Sequence, residues 1–291
     1  MTVASVALWT LLAGPSRSAR VLGIDAGAVY LQIDRLAAAD SRDGRDHPSA
    51  VVALLEPDSV QLPIGIVLPP AAADLVPVSV AGSPVSRGEI SIGWGAITLA
   101  AVRWPVLRWW NPSIPALELP PQSITSGLDP DVPADSLDPE MKPPDELVLG
   151  LAALAAGDAE SAVRQLIGVG GGLIPIGDGV LIGALAALAA WAPDSPNRQA
   201  LAVAVAGAAN RTAQVSAALL RSVGLGFGFP ELSQYLTALS TVEAVVETAL
   251  VELCAVRGGS GEAMALGVVH QLRALYSGAH KSPTSVPGFD D

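Results

Sequence analysis

Cysteine is almost absent: the single Cys254 cannot form an internal disulfide, and one thiol cannot anchor a thiolate metal cluster. The three histidines, His47, His270 and His280, stand at no metal-ligand spacing from one another or from Cys254, so no metal site is expected. Lysine occurs only at 142 and 281, and the formal charge is −12. A surface of that sign repels nucleic acid and anionic membranes, and neither is expected as a partner. Aromatic residues make up 4 % of a chain that is 51 % apolar. The core must therefore be built from Ala, Val and Leu, which favours helices packed at close range. Long apolar runs are also missing. The longest uncharged helical candidate, Gly179 to Pro193, falls short of the roughly 20 residues a membrane span needs. The opening MTVASVALWTLLAGPSRSA has a short apolar run without a positive leading segment, so a cytoplasmic protein is expected.

What is present divides the chain in two. Residues 20 to 104 carry short β-branched runs between Pro and Gly: 51–55, 64–68, 76–80 and 89–93. That spacing predicts a small β-barrel or sandwich. From Pro105 to Pro144 there are ten prolines, with seven acidic residues between Asp129 and Glu146, which reads as an extended connector. Beyond it the period becomes helical, with starts at Asp145, Asp158, Asp178, Ser195-Pro196, Arg211, Pro230, Val242 and Gly261. The expected class is α+β: a β-rich domain over 1–104, a Pro-rich acidic connector over 105–144, an all-α bundle of about eight helices over 145–280, and a flexible tail over 281–291. No fixed-period repeat is evident, although 168–190 and 257–275 share a glycine-loop-then-helix form. Trp94, Trp104, Trp109 and Trp110 are expected to pack the junction between the two parts.

The richest segment is GVGGGLIPIGDGVLIGALAALAA, from Gly168 to Ala190. It is no P-loop, since Gly177 is followed by Asp178 and not by Lys, and it lacks the third glycine of a dinucleotide fingerprint. Neither ATP nor NAD is indicated, and no cofactor is expected. A glycine-rich loop entering a helix instead exposes backbone N–H groups at the positive end of the helix dipole, a setting suited to carboxylate or phosphate oxygens. Gly170, Gly171, Gly172, Ile174, Ile176 and Gly177 are candidate substrate contacts, with Asp178 as acceptor or base. The second loop, Gly-Gly-Ser-Gly-Glu, adds Ser260 and Gly261. If the loops converge, Thr212 and Ser216 would contribute hydroxyls, and Arg211 a planar fork for an anionic group. Structural alternatives stand beside each reading: Asp178 as a cap, Arg211 as a surface residue, and the glycines as points of close helix approach.

Gly168, Gly170, Gly172, Leu173, Pro175, Gly177 and Asp178 together resemble the hallmark of the bacterial AllH family, approximately G-x-G-x-G-L-T-P-S-G-D-D before an apolar helix. Arg211-Thr212, Ser216-Ala217 and Leu219-Leu220, then Gly258 with Ser260-Gly261, are similar in the same order, and the resemblance spans about residues 20 to 278. Ile174, Ile176 and Gly179 stand where the family pattern has Thr, Ser and a second Asp. The resemblance implies a subunit handling small anions, as in oxamate carbamoyltransferase, which works with other protein subunits on oxalurate, phosphate, oxamate and carbamoyl phosphate. The three departures keep two other readings open: a diverged stand-alone enzyme for a larger, more apolar substrate, and a non-catalytic scaffold.

Overall fold

The computed structural model describes residues 1–25, 27–37, 49–70, 90–99, 101–118, 144–241, 243–256 and 259–279. The expected strand at 76–80, the connector beyond Glu118, His47, His280, Gly258 and the 281–291 tail lie outside the described residues.

The N-terminal part is a closed eight-stranded barrel. β1 (Thr2–Ser5) leads through a 3-10 turn (Val6–Leu8) into α1 (Trp9–Ala13), followed by β2 (Arg17–Asp25), β3 (Ala28–Ile33), β4 (Ala50–Leu55), β5 (Gly65–Val67), β6 (Ile90–Gly93), β7 (Ala96–Leu99) and β8 (Val102–Trp110). The order is β1-β5-β4-β3-β2-β6-β7-β8, closed by a parallel pairing of β8 with β1. Closure removes the free edges that would otherwise template aggregation. The unbroken apolar run of β4 has a direct cause: both of its faces are buried. Val52 and Leu54 point into the barrel with Leu31, Ile33, Ile66, Ile92 and Ile97. Ala53 and Leu55 point the other way, joining Tyr30, Leu62 and Ile64 against the helices.

Two expectations need correction here. β8 runs past Pro105 to Trp110, because proline lacks only its own N–H and the next donor, Val106 N–H, still reaches Gly95 O at 2.9 Å. Three of the four tryptophans do not fill the junction: Trp104 and Trp109 pack on the barrel's own core, Trp109 makes a tilted pair with Trp9, and Trp94 is about half exposed.

Beyond β8 the chain runs along the helices, with Ile114 N–H on Gly226 O and Leu117 N–H on Ala190 O. The helices are α2 (Asp145–Ala155), α3 (Ala159–Leu166), α4 (Ile176–Trp191), α5 (Pro196–Gly207), a 3-10 turn (Ala209–Arg211), α6 (Gln214–Gly224), α7 (Pro230–Leu239), α8 (Glu243–Cys254) and α9 (Ser260–Ala279). Asp158 and Ser195 cap α3 and α5 as their positions predict, accepting from Ser161 N–H and Arg198 N–H. On α8, Val246, Ala249 and Leu253 are buried, whereas Val245 is exposed.

α4 is buried over nearly its whole length and crosses α9 at the centre of the bundle. The two helices meet backbone to backbone. A Cβ added at Gly183 would stand 1.9 Å from Met264 O, and one at Gly267 would stand 2.0 Å from Val180 O. The contact is reciprocal, and it extends to the helix starts. A Cβ at Gly177 would meet Leu166 O at 1.9 Å, and one at Gly261 would meet Leu253 O at 1.8 Å. IGDGVLIG and SGEAMALG are thus equivalent pieces, each preceded by a helical pair, α2–α3 or α7–α8, so that two similar three-helix units face each other across α4 and α9. This relation is the structural content of the shared glycine-loop-then-helix form. Gly183→Ala should lower the thermal midpoint by roughly 4 °C or more, from an overpacking cost of about 2 kcal/mol, because backbone cannot yield as a side chain can. Gly171→Ala, at a position open to solvent space, should leave it unchanged in the same calorimetric scan.

Candidate functional site

The glycine loop between α3 and α4 owes its shape to alternation. Gly168, Gly170 and Gly172 have φ of 75°, 99° and 89°, the left-handed region that other residues rarely enter. Val169 N–H donates to Leu166 O and Gly177 N–H donates to Val169 O, so the loop folds back on the start of α4 and fills one of its open donors. Asp178, in the first turn of α4, completes the fold-back. Its carboxylate has 0 % exposure. One oxygen, Oδ1, accepts from Gly168 N–H at 2.7 Å. The other, Oδ2, accepts from the hydroxyls of Thr212 and Ser216. A buried carboxylate is stable only when its lone pairs are met by donors, and here three are supplied. Arg211 lies on the outside of this arrangement, where its guanidinium donates to Arg164 O at 2.9 Å near the end of α3.

Between barrel and bundle lies a cavity of about 660 Å³. From the first loop Gly172, Leu173 and Ile174 line it, and from the start of α9, Ser260. The two glycine loops therefore do converge on one space. Ser260 is 4 % exposed and makes no side-chain hydrogen bond to any described residue, so its hydroxyl is available to a ligand. Phe229 and Val256 continue the apolar side. The opposite wall comes from the barrel: Asp25, Gly27 and Tyr30 around the β2–β3 turn, then Glu56, Asp58 and Ser59 after β4. Ser59 ties these two turns together by donating to Gly27 O at 2.7 Å. Burial first, and then the charge of Asp25, push the Tyr30 phenol up to about 12, which makes it a neutral hydrogen-bond donor.

The structure thus separates the residues singled out in the sequence. Gly172, Ile174 and Ser260 face the cavity. Gly177 and Gly261 are points of close approach, and Gly170 packs against Ile176, whose side chain joins the helical core. Thr212 and Ser216 are engaged by Asp178. Gly171 has no neighbour that a side chain would meet. One departure from the family pattern, Gly179, has a local reason. A Cβ at Gly179 would lie 2.7 Å from the Ala263 Cβ, so a second aspartate there would be driven into the α4–α9 contact.

Sequence reasoning missed the barrel wall entirely. Asp25, Glu56 and Asp58 carry no motif, and the only available signal was acidic residues set in turns flanking β-runs. Burial first and Glu262 second push the Cys254 thiol up, away from the reactive thiolate. Among the described residues no group of acidic, histidine or cysteine side chains could hold a metal ion, and no helix is long and apolar enough to cross a membrane.

A β-barrel joined to a helical bundle, with both glycine-loop segments opening on the cavity between them, defines an α+β protein with a ligand-sized cavity where the two parts meet. Residues 166–272 match the family model described as oxamate carbamoyltransferase subunit AllH, so the resemblance to that family holds over the glycine loops and the helices between them. The barrel lies outside the match. No curated protein and no solved structure matches the chain.

The Tyr30 shift has a measurable consequence. Between pH about 10 and about 12 the unfolded chain loses a phenolic proton that folded Tyr30 keeps, so stability should fall as pH rises through that window. Denaturant titrations at pH 9 to 12 should show a shallower loss for Tyr30→Phe than for the parent, with Tyr235, Tyr276 and Cys254, which burial also raises, contributing to the remaining slope.

Proposed function

We propose that the barrel–bundle cavity is where this chain handles a small organic acid, as a carbamoyltransferase-type subunit acting with other protein subunits. One observation carries the reading: Gly172–Ile174 and Ser260, from the two separated family-like segments, meet on one wall of a single cavity. The first-turn N–H groups of α9 and the Ser260 hydroxyl offer donors to a carboxylate or phosphate. The carboxylates of Glu56 and Asp58 across the space accept N–H from the amide of oxamate or of a carbamoyl group, and they are placed to take up a transferred proton.

In this reading Asp178 is a positioning residue, since its oxygens already accept from Gly168, Thr212 and Ser216. It acts through the loop that carries Leu173 and Ile174. Arg211 supports the end of α3 in the same way. The volume and the apolar side formed by Leu173, Ile174, Phe229 and Val256 favour a second reading, in which the acid is larger and more apolar than oxamate.

Thermal unfolding with oxamate, oxalurate, phosphate and carbamoyl phosphate tests the proposal. A ligand at about a hundred times its dissociation constant adds about 2.7 kcal/mol, which corresponds to roughly 5 °C or more in a chain of this size. At least one of the four should produce that shift, and Ser260→Ala should reduce it by half or more. An undiminished shift in Ser260→Ala removes the cavity from the account, whereas no shift with any of the four leaves the larger-acid reading in its place.

A further inference from the structure

The cavity is chemically lopsided, and the lopsidedness bears on its ligand. On the bundle side the α9 start presents a helix dipole's positive end, with Ser260, buried and without a side-chain hydrogen bond to any described residue, lining the space. On the barrel side stand the carboxylates of Glu56 and Asp58, with the neutral Tyr30 phenol on the same lining. No described residue lining the cavity is Lys or Arg. A ligand with only an anionic group would be drawn to one wall and repelled by the other. Leu173, Ile174, Phe229 and Val256 add apolar surface to the bundle side of the cavity.

Resting on the reading that an acid binds at Ser260, we infer that the ligand also carries a cationic nitrogen, so that this is a site for an amphoteric molecule with an apolar centre. The carboxylate seats at the α9 start, the hydrocarbon crosses Ile174 and Phe229, and the ammonium, amidinium or guanidinium end meets Glu56 and Asp58. The cavity's 660 Å³ has room for such a chain and exceeds what a two-carbon acid fills. Glu56 and Asp58 are exposed, so the attraction at that end is screened and should weaken with added salt.

Isothermal titration of the full chain with ω-amino acids of four to eight carbons, each paired with the parent acid lacking the amine, tests this. The best amino acid should bind about three- to tenfold tighter than its parent acid at low salt. The double variant Glu56→Gln, Asp58→Asn should abolish that preference while leaving the parent acid's affinity equal or improved. Ser260→Ala should weaken both members of the pair alike. Parent acids binding as tightly as their amino counterparts, with Ser260→Ala still weakening both, would overturn the cationic end and leave the acid site standing. Binding of neither member, or binding untouched by Ser260→Ala, would overturn the acid site as well. Circular dichroism of each variant separates a lost contact from a lost fold.

Discussion

A carboxylate removed from water holds the centre of this molecule together. Asp178 accepts from the backbone at Gly168, at the start of the loop, and from Thr212 and Ser216, which lie beyond α5. It thereby pins three stretches of chain at the first turn of the most buried helix. Charge-assisted hydrogen bonds of this kind are each worth about 1.5–3 kcal/mol, and a buried donor left without its acceptor costs a comparable amount. Besides these bonds the loop is held by Val169 N–H on Leu166 O and Gly177 N–H on Val169 O. Gly168, Gly170 and Gly172 adopt left-handed backbone, and a Cβ added at Gly171 or Gly172 would meet no neighbour. Fixing Gly168 anchors the start of the loop that carries Leu173 and Ile174 to the cavity.

The second constraint is the glycine-mediated crossing of α4 and α9. Close approach there brings the two helix starts, and the loops before them, to the same end of the bundle. This is why segments far apart in sequence share one wall. β4 supplies the opposite wall because it is buried on both faces: Ala53 and Leu55 anchor the barrel to the helices, and the chain leaving β4 carries Glu56 and Asp58 to the rim. Gly179 belongs to the helix crossing. The family pattern's second aspartate would sit where α4 and α9 touch, so its loss here fits a tight helix contact.

The helical half was legible in the sequence because each signal there is local. Asp158 and Ser195 cap as their neighbours require, Pro230 opens α7, and the motif glycines mark both the loop and the crossing. The barrel was legible as a class but not in its closure, since the pairing of β8 with β1 joins the ends of the domain and leaves no short-range trace. Pro105 misled for a related reason: a missing donor rules out a ladder bond at one residue only. For the site, period and composition located two of the three segments. The barrel carboxylates escaped because ordinary acidic turn residues become a wall only through tertiary packing, and Thr212 and Ser216 read as ligands because hydroxyls held by a buried carboxylate look the same in sequence as hydroxyls awaiting a substrate.

The central claim is that Asp178 holds the glycine loop in its place on the cavity, and amide hydrogen exchange reads this directly. In the parent chain the Gly168 amide and the peptides over 168–177 should be protected. In Asp178→Ala the exchange of that segment should accelerate by at least about tenfold, the equivalent of 1.4 kcal/mol, while α2 and the barrel strands keep their protection. Unchanged protection over 168–177 in a folded Asp178→Ala chain would contradict the account, because the loop would then be held by something other than this carboxylate.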